Sequence, residues 1–192
     1  MVTTPTEGRR TRRPNDPHRP TRIARAAIRV IAHHGIEALT HRKVAAEAEV
    51  PLGSTTYYFA NLDDLISAAL AEAADSNVNE LREWNETLAP DANLAHALAD
   101  FVLGAVTEQR EHTIAEYNLY AVALHRPHLR KAAADWDQAL ADVFTERTDP
   151  TTGRMIATLT CGMLMQTVLT DEVPTHSEIH AVFARALGTG TS

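Results

Sequence analysis

Residues 40–59, THRKVAAEAEVPLGSTTYYF, restrict the fold more than any other stretch of the chain. Val44, Ala45, Ala48 and Val50 recur at helical spacing, yet they are too few and too small to make a core alone. Thr40 is a favoured helix N-cap, its hydroxyl placed to accept from a backbone N–H two or three residues on. Pro51 has no backbone donor and fits the start of a second helix. That second segment, LGSTTYYF, puts small hydroxylated residues first and aromatics last. Ser54, Thr55, Thr56, Tyr57 and Tyr58 offer hydroxyls suited to phosphates and base edges, and no catalytic base stands beside them. Two short helices of this build, joined by a tight turn, read as a helix-turn-helix whose second helix faces a major groove.

The flanks supply what the pair lacks. Residues 21–34 place Ile23, Ala26, Ala27, Val30 and Ile31 on one stripe, stopped by Gly35, and that stripe covers the pair. After Phe59 a helix restarts, with Asn61 as cap and Asp64 three positions later, and runs through Leu65, Ile66 and Leu70 towards Trp84. Further helical patterns cover about 92–109, IAEYNLYAVALH as far as Pro127, 128–147, 152–170 and 176–187. No alternating strand pattern, Gly-rich phosphate loop or repeat period is present. The expectation is an all-α chain of nine helices, three in an N-terminal head (21–60) and six in a body (61–192). Residues 1–20, with arginines among prolines, read as a disordered arm.

The overall charge of −7 argues against a polyanion partner, but it averages two unlike parts. Residues 1–60 hold 10 Lys/Arg against 5 Asp/Glu, and residues 61–192 hold 8 against 20. A basic head on an acidic body suits nucleic acid at one end. Much of the positive charge is Arg9, Arg10, Arg12, Arg13 and Arg19, so the arm either follows phosphates or is a solvated tail. No apolar run reaches membrane-spanning length, and the N-terminus lacks the apolar segment of a secretory signal. A single cysteine, Cys161, excludes an internal disulfide framework and suits a reducing compartment, so the expected location is cytoplasmic.

A first helix ending in HHGIEALT, followed by THRKVAAEAEVPLGSTTYYF and ANLDDL, resembles a TetR-family transcriptional regulator over about the first 70 residues. AEYNLYAVALHRPHLRKA and GMLMQ are similar to features of that family's ligand-binding half. The resemblance implies a homodimer that represses transcription at a double-stranded, palindromic operator and releases it when a small molecule enters the body. It places Thr40, Arg42, Lys43, Leu52, Gly53, Ser54, Thr55, Thr56, Tyr57 and Tyr58 against DNA. Arg42 falls where the family reads a base edge, and a guanidinium bonds guanine in bidentate fashion. Three departures stand out. Thr56 takes a position usually held by tyrosine, Glu49 stands where the turn commonly has glycine, and Leu62 replaces a frequent phosphate-binding lysine.

In the body, an apolar cavity with a few polar groups is the expected effector site. Glu116 is its polar candidate, the alternatives being an inward ion pair with an arginine or a solvated face. Trp84, Phe101, Tyr117, Tyr120 and Trp136 line the cavity or pack the core. Residues 152–170 are apolar nearly all round. Met155, Leu159, Met163, Leu164 and Val168, with Ile179 and Phe183, are therefore expected at a two-fold interface, the alternative being burial in the chain's own bundle. Cys161 is a redox sensor or a buried inert thiol. His176 and His180, four apart, and His125 and His128, three apart, have no cysteine cluster or carboxylate at matching spacing; His96 and His112 stand isolated. Neither a metal site nor a cofactor is expected, and no nucleophile–base pair marks an enzyme. A dimeric architectural DNA binder without effector, or less favourably a helical-bundle enzyme, is the alternative.

Overall fold

The computed structural model describes residues 16–170 and 172–189. Over these residues nine α-helices succeed one another, no strand forms, and no helix is long and apolar enough to cross a membrane. Helix α1 (Arg19–His34) starts two residues before the expected Thr21. Pro20 lies in its first turn, where a missing donor costs nothing. Arg19, assigned to the arm, is thus helical, while Arg9, Arg10, Arg12 and Arg13 lie outside the described residues.

Helix α2 (His41–Glu47) is capped by Thr40, whose Oγ1 accepts from the Lys43 amide at 3.2 Å. The turn into α3 (Leu52–Tyr58) passes through Glu49 at φ +53°, the left-handed conformation that glycine adopts without steric cost. Helix α4 (Leu62–Thr87) opens on a reciprocal cap. Asn61 Oδ1 accepts from the Asp64 amide at 2.8 Å, and the Asp64 carboxylate accepts from the Ala60 amide at 3.2 Å. Helix α1, with Ile23, Ala27 and Ile31 inaccessible to solvent, packs on α2, α4 and α6.

The body consists of α5 (Leu94–Thr107), α6 (Arg110–His125), α7 (Arg130–Thr145), α8 (Pro150–Thr170) and α9 (His176–Ala186), wrapped around the rest of α4. Helix α8 lies mainly on α7, α9 on α5, and α4 on α7. Arg147, just past α7, closes the C-terminus of α4 by donating to the Asn85 and Leu88 carbonyls at 2.6 and 2.8 Å. Asp149 caps α8 through the Thr151 and Thr152 amides. Thr175 and Glu178 form a capping box on α9. Ile179 and Phe183 are not available to a second copy: both are fully buried within the chain, because their face of α9 turns towards α5.

Candidate functional site

Two places concentrate chemistry. The first is the outer face of the helix pair. Seven residues make less than two turns, so α3 has a single outward face, formed by Leu52, Gly53, Thr56 and Tyr57. Tyr57 is 78% exposed, and Tyr58 beside it is half-buried against the core with its ring edge-on at 5.0 Å. Thr55 differs from its expected role. It lies three positions after Leu52 on the inner face, is fully buried, and donates its hydroxyl to the Leu52 carbonyl at 2.8 Å. Ser54 is half-buried. Arg42 and Lys43 stand exposed on the first turn of α2, beside Thr40. Their nearest acidic competitor in sequence, Glu47, is engaged by Arg29 at 2.6 Å. The surface is therefore a short hydroxylated helix flanked by two exposed cations, the residue types that suit phosphates and base edges.

The second is a cavity of about 220 Å³ between α4, α5, α6, α7 and α8. Phe101, Tyr117, Tyr120, Trp136, Phe144 and Leu140 supply most of its wall. Trp84 is not part of it, since its ring packs on Phe101 (5.2 Å) and Phe144 (6.5 Å) one layer behind. Of the residues expected at an interface, Leu164 lines this cavity, while Leu159, Met163 and Val168 are half-buried and Met155 is exposed.

Glu116 enters the cavity from α6 and is only 7% exposed. Asn77 of α4 donates to its Oε2 at 3.3 Å, and Trp136 Nε1 donates to the same Asn77 at 3.2 Å. His112, one turn earlier, places Nε2 3.3 Å from Oε1, near enough for charge attraction but not aligned as a hydrogen bond. Burial pushes the Glu116 carboxyl above the usual carboxylate range, and Glu116 in turn raises His112 above its ordinary value. Tyr117 donates to the Cys161 carbonyl at 2.7 Å, and Tyr120 to Asp137 at 2.8 Å. Burial pushes the Tyr120 phenol up to about 12 and the Cys161 thiol up to about 11, so the thiol stays protonated and unreactive at neutral pH. The polar groups of the cavity are thus tied to one another or to backbone around a mostly aromatic wall.

Asn77, His112 and Asp137 carry much of this arrangement without having been singled out for the cavity from the sequence. Asn77 interrupts the apolar stripe of α4 between Ala73 and Leu81, and His112 precedes Glu116 by four, so both left a readable signal. Asp137 left none.

Comparison with known proteins places both regions. Residues 23–69 match the family described as bacterial regulatory proteins, tetR family, and residues 89–189 match the tetracyclin repressor-like C-terminal domain. The multidrug binding protein EbrR complexed with ethidium is 41% identical, with a TM-score of 0.77 over 90% of this chain and 99% of that one. EbrR has also been solved with proflavin and with malachite green. A TetR-family member from Streptomyces coelicolor A3, SCO1917, is 42% identical, with a TM-score of 0.75 over 88% of this chain and 98% of its own. The nicotine-responsive transcriptional repressor HdnoR of Paenarthrobacter nicotinovorans is 28% identical over 103 residues, a match spanning 54% of this chain and about half (53%) of that protein. With a helix-turn-helix head, a helical ligand-binding body and both family domains matched along its length, the chain belongs to the TetR family of transcriptional regulators.

Proposed function

We propose that this regulator is a repressor that holds a palindromic operator as a homodimer and leaves it when a flat aromatic cation fills the cavity beside Glu116. Glu116 carries the proposal. A carboxylate buried among rings is costly unless a positive charge reaches it, and half-exposed His112 meets that need only from one side. An organic cation would pair with Glu116 while its rings stack on Trp136, Tyr117 and Phe101. The dyes bound by EbrR and the nicotine response of HdnoR support the same chemical class.

The cavity is smaller than the roughly 300–1,000 Å³ typical of ligand sites, so a fused-ring guest must part its walls. Met165, on the α8 wall and partly exposed, is a flexible side chain suited to yield. A ligand that fits only the parted form has the differential affinity that a switch requires. Helix α6, which carries Glu116, touches the head at one end, Glu111 near His33 (3.5 Å), and the first turn of α4, just after the head, at the other, Arg126 on Asp63 (2.9 Å). For the dimer, the outward face of α8 exposes Met155, Met165 and Leu169, next to small residues Thr158 and Gly162, a face that a second copy would cover. A two-fold pair would set two copies of α3 on successive turns of the groove, about 34–36 Å apart. The cavity also distinguishes this function from that of an architectural DNA binder, which has no use for a buried acid.

Ethidium and a fluorescent operator fragment test the proposal. Saturating ethidium should release the operator from the wild-type protein, while Glu116→Gln should bind operator normally and need at least tenfold more dye. Operator retained at saturating ethidium, or dye affinity indifferent to Glu116→Gln, would overturn it.

A further inference from the structure

Away from the cavity, at the junction of α5 and α9, side chains from two helices remote in sequence converge. His96 and Asp100, four apart on α5, meet His176 near the start of α9, and one ligand atom from each lies within 4.8 Å of the others. His96 Nε2 is 3.7 Å from Asp100 Oδ2, and His176 Nε2 is 3.2 Å from Oδ1. The two imidazole centroids are 4.4 Å apart. His180, one turn along α9, stacks parallel to His176 with its ring centroid 6.3 Å from both other rings.

We infer that His96, Asp100 and His176 form a three-ligand binding site for a divalent transition-metal ion bridging α5 and α9, with His180 one turn beyond His176 and outside the close cluster. Ligand atoms around a tetrahedral zinc sit about 3.4 Å apart, given metal–ligand bonds near 2.1 Å, so the observed separations need only small side-chain rotations to close on an ion. An i,i+4 pair on α5 puts two ligands on one side of that helix, facing the third on α9. Nitrogen and carboxylate donors without thiolate suit zinc, nickel or copper rather than calcium or magnesium. The alternative is a plain ion pair. Yet His176 Nε2 is shielded from solvent and makes no aligned hydrogen bond despite the carboxylate beside it, a geometry closer to a ligand than to a donor. Ile179 and Phe183, fully buried against α5 from the same side of α9, fix the separation of the two helices and so hold the ligands in place. The acidic body adds a field that gathers cations. An ion here would fasten the last helix to the bundle.

Zinc titrated into untagged, chelator-treated full-length protein tests the site by calorimetry and thermal denaturation. One ion per chain should bind, and a hundredfold excess over Kd should raise Tm by about 5–10 °C. His96→Ala and His176→Ala should each weaken binding at least tenfold, and Asp100→Asn and His180→Ala less. His125→Ala, remote from the cluster in sequence, should leave binding intact. His96 is exposed, so its replacement spares the fold and keeps the test open even if His176→Ala unfolds α9. Absence of stoichiometric zinc, or affinity unchanged in His96→Ala, would overturn the site.

Discussion

Arg42 and Thr55 were assigned the same partner from the sequence, and their surroundings now separate them. Arg42 is exposed, whereas Thr55 is buried and donates its hydroxyl within α3. Arg42→Ala should therefore weaken specific operator binding by roughly 1–3 kcal/mol and relax one base position, read in a salt-controlled titration. Thr55→Val should cost about 1 kcal/mol of unfolding free energy, from the lost hydrogen bond, and leave sequence preference alone. Equal losses of selectivity in both variants would contradict this division. Glu116 and His112 give a second test at this scale. Both have folded-state pKa values above their ordinary ones, so both bind protons more readily in the folded chain than in the unfolded one. Their contribution is complete at low pH. It is lost as pH rises, first above 4.5 for the carboxyl and then through the folded value of His112 above 6.5. Tm of the wild type should fall more between about pH 5 and 8 than that of Glu116→Gln, which removes both terms. Dye affinity should move the other way, rising with pH as Glu116 ionises. Parallel Tm curves for the two proteins would show that Glu116 does not titrate in this range.

Helices were legible wherever the chain punctuates itself. Gly35, Pro127, Pro150 and Pro174 fall at or beside observed boundaries, and Thr40, Asn61 and Thr175 are caps as their chemistry requires. Helix α6 begins at Arg110, four residues before the apolar pattern that starts at Ile114, and REHT has neither a side-chain cap nor an apolar stripe. Its first turn is held instead by a tertiary contact, the Thr113 hydroxyl donating to the Ala105 carbonyl on α5 at 2.8 Å. What helices touch was less legible than where they run. Gly153 and Gly104 look alike in sequence, each a glycine within an apolar helix. A Cβ on Gly153 would lie 2.8 Å from the Thr145 backbone nitrogen, whereas one on Gly104 meets nothing within 4 Å. Gly153→Ala should thus force α7 and α8 apart at a cost of about 1–3 kcal/mol. Gly104→Ala should stabilise by about 0.5–1 kcal/mol through helix propensity. Urea midpoints at constant slope give both signs, and a destabilised Gly104→Ala would mean that α5 packs more tightly there than the free space around it implies.

At the scale of the molecule, the split of charge between head and body and the near all-round apolar character of α8 pointed to two ends with different partners before any contact was known. The tie between those ends could not be read, because it joins residues far apart in the chain. Arg126 just past the end of α6 holds Asp63 at the start of α4, and α4 begins directly after α3. An exposed pair of this kind stabilises little, at most about 1 kcal/mol, and its consequence lies in what it connects. If α6 passes the effector's displacement to the head through this contact, Arg126→Ala should leave the separate affinities for ethidium and operator within about twofold of wild type. The coupling between them should shrink by up to about fivefold, the equivalent of that same 1 kcal/mol. Coupling is reciprocal, so the loss has to appear equally in two titrations: ethidium with and without operator, and operator with and without ethidium. Ratios unchanged in both would place the transmission elsewhere on α6, with the His33–Glu111 contact at its opposite end as the next position to sever.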